Sequence, residues 1–324
     1  MKLNDNRIRF LYQSWRSGSM RAASEVLDVA PSSISRQIAQ LESEIGIRLI
    51  EHGRREIHLT DAGRLLLDYY QDQLASQESL RSRLLDLVGM RTGHVQLALG
   101  EGFLGEALYS TIDEFQDSHP GFTLSVRVTD TTEMLRLLAE DEVHFGLAFH
   151  PPAEQQILSR FRATVPLRAI VHPDHPLAGK SKIGLAELCA HPLALMDQRF
   201  RIRQTVDLAA SDCGQNISPV LTTNSIAMLI RTARAKRAAT VLPEFSVRTE
   251  LDTGRLVAVE IDSIYFQSLY VHLITRQRRQ LSPVVLSLMQ KVRERLGPVA
   301  KYSGSAEHAP ANPLNLPSYS GIKP

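Results

Sequence analysis

The chain has 324 residues, of which 43% are hydrophobic and 22% charged, and its formal net charge is +2. That composition fits folded globular domains, two or three of them, and excludes a disordered or fibrous chain. The charge is too small to argue for a polyanionic partner by itself, so any case for nucleic acid must rest on pattern.

Residues 1–7 lack the apolar core of a signal peptide, and no apolar run is long enough to cross a bilayer. The expectation is a cytoplasmic protein with no membrane contact. Ile8, Leu11, Tyr12 and Trp15 recur at helical spacing and predict a first helix that ends before Gly18. Ser19 reads as the N-cap of a second helix over 20–27. A tight turn at Asp28-Val29-Ala30 leads into a third helix, with Pro31 in its first turn, where a missing N–H costs little.

In that third helix Ile34, Ile38, Leu41 and Ile45 fall at spacings of four, three and four, so one side is apolar. Ser32, Arg36, Gln40 and Ser43 point the other way, a face rich in hydrogen-bond donors, and Ser33, Ser35 and Gln37 join Ser32, Arg36 and Gln40 as candidate DNA contacts. Taken alone, this is an ordinary amphipathic surface helix. Preceded by a short helix and a three-residue turn, it is the second helix of a helix-turn-helix. A DNA major groove admits such a helix; Arg can grip guanine, Gln can pair with adenine, and serines reach bases or phosphates. Leu49-Ile50 and Ile57/Leu59 then flank a Gly53-Arg54-Arg55 tip, a two-stranded wing whose arginines suit backbone phosphates or a narrow minor groove.

These residues resemble the LysR-type transcriptional regulators. The likeness runs from Ile8 to about Tyr69, through Gly18-Ser19-Met20-Arg21-Ala22-Ala23, Val29 to Ile38, Leu41-Glu42, Gly46, Arg48-Leu49-Ile50, Arg54-Arg55, Leu59-Thr60 and Ala62-Gly63. Ser35 and Arg36 match the family's DNA-contacting positions, and Arg54 its wing arginine. The family often has Ser-Gln-Pro-Ala where this chain has Ala30-Pro31-Ser32-Ser33, so a Gln that commonly touches DNA is a Pro here, and Ala30 cannot cap as Ser would.

A long helix opens at Thr60-Asp61. Leu66, Tyr70, Leu74, Leu80, Leu84, Leu87 and Val88 give it a broken apolar stripe through about residue 89. Such a stripe must be buried, either on a neighbouring domain or against a second copy of the chain. The resemblance implies the second: this is the family's dimerising linker helix, with a hinge at Arg91-Thr92-Gly93.

From Gly93 onward short apolar strands alternate with helices. Strands are predicted at 95–100, 122–129 and 145–149, with helices at 105–118 and 132–141. A second set follows: 167–172, 185–189, 193–196, 202–214, 220–223, 225–234, 239–242 and 256–261, then 267–275 and 282–296. Gly93-His94-Val95, His119-Pro120, the run from Val171 to Ala178 and Val241-Leu242-Pro243 resemble the family's effector-binding domain, which is built like a periplasmic substrate-binding protein. The expected architecture is therefore multidomain: a winged helix-turn-helix over 1–60, a linker helix and hinge over 61–92, and a two-lobed α/β effector domain over 93–298. Lobe I would take 93–164 and 266–298, lobe II 165–265, with crossings near 162–167 and 262–267. Residues 299–324, rich in Pro, Ser, Gly and Asn, read as a disordered tail.

Ligands in such a fold sit in the cleft outside the carboxyl ends of the strands. The strand ends nominate Glu101, Gly102 and Phe103; Thr129, Asp130, Thr131 and Thr132; Phe149 and His150; Asp197, Gln198, Arg199 and Phe200; and Asn224 and Ser225. Thr131/Thr132 and Asn224/Ser225 open helices, where free N–H groups favour an anion such as a carboxylate, and Arg199 can pair with one. Glu101 stands against that, since the family commonly has a small polar residue there and an acid repels a plain carboxylate. It is either a solvated loop acid or a sign of an effector with a cationic or hydroxylated part.

His172-Pro173-Asp174-His175 reads as a turn without further metal ligands, and Cys189 and Cys213 as small hydrophobes in a reducing compartment rather than a sensor disulfide. No nucleophile elbow, phosphate loop, zinc spacing or paired carboxylates stand in the sequence, so no catalytic residue, cofactor or metal is expected. The leading expectation is a ligand-responsive transcription factor. It would be a dimer or tetramer on an interrupted palindrome in double-stranded DNA, with half-sites about one helical turn apart, acting with RNA polymerase as the resemblance implies. The alternatives are a cytoplasmic small-molecule-binding protein with no regulatory role, and an enzyme.

Overall fold

The computed structural model describes residues 3–51, 57–87 and 92–296. Arg54 and Arg55 at the expected wing tip, Arg91 of the expected hinge, and the expected tail lie outside the described residues. The chain divides into two units. One holds the residues up to 87 together with Arg278–Pro283; the other holds the rest.

The first unit contains α1 (Asp5–Arg16), α2 (Met20–Leu27), α3 (Pro31–Ile45) and α4 (Asp61–Leu87). Local chemistry sets their ends. Asn4 caps α1 by accepting the amides of Asn6 and Arg7, and Ser19 caps α2 by accepting the amide of Ala22 at 3.1 Å. Asp28 and Gly46 end α2 and α3 in the left-handed conformation. Ile8, Leu11, Tyr12, Ala23, Ile34, Ile38 and Leu41 form the core with Leu49, Ile50 and Leu59 of the wing base.

Leu66, Leu67 and Tyr70 of α4 complete that core. Two residues expected on the dimerising stripe, Leu66 and Tyr70, thus face inward, and the first turns of the linker helix belong to the N-terminal core. Leu74, Leu80, Leu84 and Leu87 of the expected stripe do lie on the outside of the helix, as do Leu65 and Tyr69. Gly63 is fixed by close approach: a Cβ there would stand 2.2 Å from the Leu49 carbonyl oxygen.

The second unit has two lobes. In lobe I, β1 (Gly93–Leu99), β2 (Phe122–Val128), β3 (Phe145–Phe149), β4 (Ile157–Thr164) and β11 (Tyr270–Arg276) form one sheet in the order β2-β1-β3-β11-β4. β1 is parallel to β2 and β3, and β11 is antiparallel to β3 and β4. The helices α5 (Glu106–Ser118) and α6 (Thr131–Ala139) make the crossovers that parallel strands require. β3 reads Phe-Gly-Leu-Ala-Phe and is buried along nearly its whole length, as a central strand covered on both faces must be.

In lobe II, β5 (Leu167–Val171), β6 (Lys182–Ile183), β9 (Thr240–Pro243) and β10 (Val257–Ile261) form a sheet in the order β6-β10-β5-β9. A bridge between Leu193 and Ala239 extends it to β7 (Ala194–Met196) and β8 (Leu221–Thr223). α7 (Leu185–Cys189), α8 (Arg201–Asp212), α9 (Ile226–Arg234), α10 (Arg248–Asp252) and α11 (Ile264–Gln267) pack around these strands, and α12 (Pro283–Leu296) follows β11.

The chain passes from lobe I to lobe II between β4 and β5, inside the expected window. It returns just before β11, later than expected, because Phe266 and Leu269 are buried in the core of lobe II. Four elements, β4, β6, α10 and α11, were not among those the sequence predicts.

Candidate nucleic-acid interface and ligand cleft

On α3 the buried Ile34, Ile38 and Leu41 anchor one side. Ser32, Ser33, Ser35, Arg36 and Gln40 are exposed on the other. Gln37 is half-buried, and its Oε1 accepts a hydrogen bond from Arg7 Nε of α1 at 3.2 Å, so this expected base reader is held by its own subunit. Arg7 also pairs with Glu44. Ala30 provides no side-chain cap, as its methyl group dictates.

The sequence reading missed Glu42. Its Oε1 accepts the amides of Leu49 at 2.7 Å and Ile50 at 3.2 Å, tying the first strand of the wing to α3. Thr60 does the matching work on the second strand, donating to the Arg48 carbonyl at 2.7 Å and accepting the Gly63 amide at 3.1 Å. Among the described residues one bridge, Ile50 to Leu59, and a few backbone bonds join the strands. The wing base is therefore set largely by side chains from α3 and the start of α4.

The cleft between the lobes of the second unit encloses about 550 Å³, part of it open to solvent. Of the nominated residues, Glu101, Gly102, Phe103, Thr129, Asp130, Thr131, Phe149 and Phe200 line it. Thr132, His150, Asp197, Gln198, Arg199, Asn224 and Ser225 do not. Met134, Met196, Arg201, Ile202, Ile226, Pro243 and Phe245 line it without having been nominated. Phe245 follows β9 in a 3-10 turn, so the strand-end rule, applied to one more strand, reaches it.

Several polar groups around the cleft have partners within the chain. Asp130 caps α6 by accepting the Glu133 amide at 3.0 Å. Glu101, in a 3-10 turn after β1, reaches across to lobe II and accepts from Ser225 Oγ at 3.1 Å, Ile226 N at 2.8 Å and Ala227 N at 3.3 Å. The start of α9, expected to receive an external anion, is thus filled by the chain's own Glu101, which is no solvated loop acid, while Asp130 takes one amide at the start of α6. Arg199, expected to pair with such an anion, pairs with Asp197 at 3.0 Å, and that hydrogen bond holds the Asp197 carboxyl below the usual range. Arg201 Nε donates to the His150 carbonyl at 3.1 Å and Nη1 to Gln204 at 2.9 Å; burial lowers its pKa.

His150 is only 4% exposed, and neither ring nitrogen has a hydrogen-bond partner. Its φ is +45°, a left-handed conformation, and its ring stacks on Tyr270. Burial, and secondarily the Arg201 charge, push its pKa down to about 4. His172 and His175 accept the amides of Asp174 and Leu177 at 3.0 and 3.2 Å and so build their own turns. Both cysteines are free thiols, and burial raises the pKa of Cys189, which disfavours the reactive thiolate.

A family described as "Bacterial regulatory helix-turn-helix protein, lysR family" matches residues 6–64, and one described as "LysR substrate binding domain" matches residues 89–297. The RuBisCO operon transcriptional regulator of Allochromatium vinosum is 27% identical over 291 residues, covering 87% of this chain and 95% of that protein. The transcriptional activator CmpR of Synechocystis is 26% identical, covering 85% of this chain and 90% of its own length. Among solved structures, a full-length OxyR from Pseudomonas aeruginosa superposes with a TM-score of 0.63 at 17% identity, covering 93% of this chain and 97% of that one. Full-length CbnR complexed with its target DNA superposes at 0.53 and 21% identity, covering 90% and 99%. These two likenesses concern the fold: a helix-turn-helix unit and a two-lobed α/β unit in one chain. With the two family matches spanning both units, the chain belongs to the LysR family of DNA-binding transcriptional regulators.

Proposed function

We propose that the chain reads an interrupted palindrome through the exposed face of α3 and adjusts that binding to a small molecule held in the interlobe cleft. The observation that carries this is the division of α3. Its apolar side is buried, while Ser32, Ser35, Arg36 and Gln40 stand in solvent. Among the described residues Arg36 has neither an ion-pair nor a hydrogen-bond partner, so its donors are available to a base edge. Arg54 and Arg55 would add phosphate contacts from the wing. Two copies joined through α4 would present two such helices to half-sites about one turn apart, and a tetramer would pair two of these dimers. Effector binding would shift the population between two assemblies, and with it contact with RNA polymerase at the promoter. We place this activity in the cytoplasm and read the cleft as a binding site, not a catalytic one.

Arg36→Ala tests the reading head. Operator affinity is measured at fixed salt on the intact site and on base-substituted sites. The expected loss is about 1–3 kcal/mol on the intact site, with discrimination relaxed at one base pair. Unchanged discrimination removes Arg36 from base readout.

A further inference from the structure

We propose that Glu101 is a built-in anion that latches lobe I to lobe II, and that the start of α9 is therefore closed to the carboxylate or phosphate of a small molecule in the cleft. This rests on the reading of the cleft as the effector site and narrows what that site accepts.

The start of α9 carries three hydrogen-bond donors, Ser225 Oγ, Ile226 N and Ala227 N, and all three converge on one carboxylate. That is the chemistry by which a helix N-terminus holds an anion. The anion belongs to the chain, and it comes from the opposite lobe. The residues that follow it close the same gap. A Cβ on Gly102 would stand 3.2 Å from Ile226 Cδ1, and the rings of Phe103 and Phe245 lie 5.1 Å apart. Three consecutive residues of lobe I thus meet lobe II by charge, by close approach and by ring contact.

Other polar groups beside the cleft are partly engaged from within. Asp130 takes the Glu133 amide of α6, Asp197 holds Arg199, and Arg201 Nε and Nη1 are turned to the His150 carbonyl and Gln204. What remains for a ligand is mostly apolar wall, including Met134, Phe149, Met196 and Phe200. An entering carboxylate would meet the Glu101 charge and would have to displace it from all three donors. An uncharged molecule meets no such cost and gains by apolar contact.

The test is chemical rescue in the full-length protein. Glu101→Ala deletes one acetate's worth of side chain, so acetate is the probe, with chloride at equal ionic strength as control. The E101A chain is expected to melt about 2–4 °C below the wild type, and acetate should restore most of that loss. Acetate should leave the wild type unmoved, because the site is filled. Glu101→Gln keeps the shape but turns an amide NH2 toward the donors. It should melt below the wild type and gain nothing from acetate, which keeps the proposal testable if E101A does not fold. An E101A or E101Q chain as stable as the wild type, absence of rescue, or equal stabilisation of the wild type by acetate overturns it. Operator mobility shifts separate the two readings. Rescue of melting with E101A operator affinity identical with and without acetate supports the latch and overturns the cleft as the control site.

Discussion

Glu42 and His150 show which side-chain roles a sequence hides. Glu42 occupies an ordinary helical position, and no spacing rule announces that its carboxylate accepts two amides from a strand seven and eight residues on. His150 stands where the strand-end rule looks for a ligand contact, yet its ring is sealed in beside Tyr270. Burial of the imidazole has a consequence for acid stability. An unfolded histidine titrates near pH 6.5, whereas folded His150 is pushed down to about 4. Between those values the unfolded chain binds a proton that the folded chain refuses. The stability that neutral His150 confers is therefore full above about pH 6.5 and is lost as pH falls toward 4, by up to about 3 kcal/mol. His272 is shifted down to about 4 as well, by burial first and then by His150 and Arg162. The melting temperature should fall across that range, and His150→Asn should make the fall shallower, since Asn tolerates a φ of +45° and does not titrate. An unchanged pH slope in H150N would take His150 out of the acid response.

Helix ends were the most legible part of the chain, because caps and turns are local. Ser19, Asp28, Pro31 and Gly46 mark α2 and α3 where the structure has them. Strands that depend on distant partners were less so. β4 keeps its alternation at Arg160, Phe161, Arg162 and Ala163, but Leu158 faces outward and Ser159 inward, which blurs its apolar pattern. The structure finds Arg162 lying over the Tyr270 ring at 5.2 Å, a contact with β11 that no local pattern foretells. β6 is only two residues long. The α3 start offers a direct test of the local chemistry. Ala30 leaves the first amides of the helix without a side-chain acceptor, although Pro31 sets the entry. Ala30→Ser should restore a cap and stabilise the N-terminal unit by about 1 kcal/mol, read as a raised midpoint in denaturant melts. A midpoint at or below the wild type would mean that α3 begins in a geometry that no hydroxyl can cap.

For the whole molecule, the order of strands and helices announced an α/β unit, and the family resemblance implied its two lobes. The contact of Glu101 with the start of α9 was not legible, because Glu101 and its donors lie more than a hundred residues apart in sequence. The α4 stripe was legible from Leu74 onward, where Leu74, Leu80, Leu84 and Leu87 are exposed, but not in the first turns, where Leu66 and Tyr70 are buried. Leu66 and Tyr70 sit one position from Leu65 and Tyr69, and a step of one residue turns a helical side chain by about 100°. The inner pair fills the N-terminal core, so only the outer set is left for a partner. Leu65 is 73% exposed, Leu80 57%, Leu84 53% and Leu87 83%. Spaced 15, 4 and 3 residues apart, they keep to one side of a helix of 27 residues. A side of that kind is what a second copy would cover in the proposed dimer. Leu80→Glu with Leu84→Glu should therefore convert dimer to monomer in sedimentation while leaving the midpoint of the N-terminal fold within about 0.5 kcal/mol, because neither leucine belongs to a core. Binding to a single half-site should persist. Binding to the full palindrome should weaken by roughly 100-fold or more, since the second half-site would no longer be presented at high effective concentration. A double variant that still sediments as a dimer would move the interface off α4 altogether.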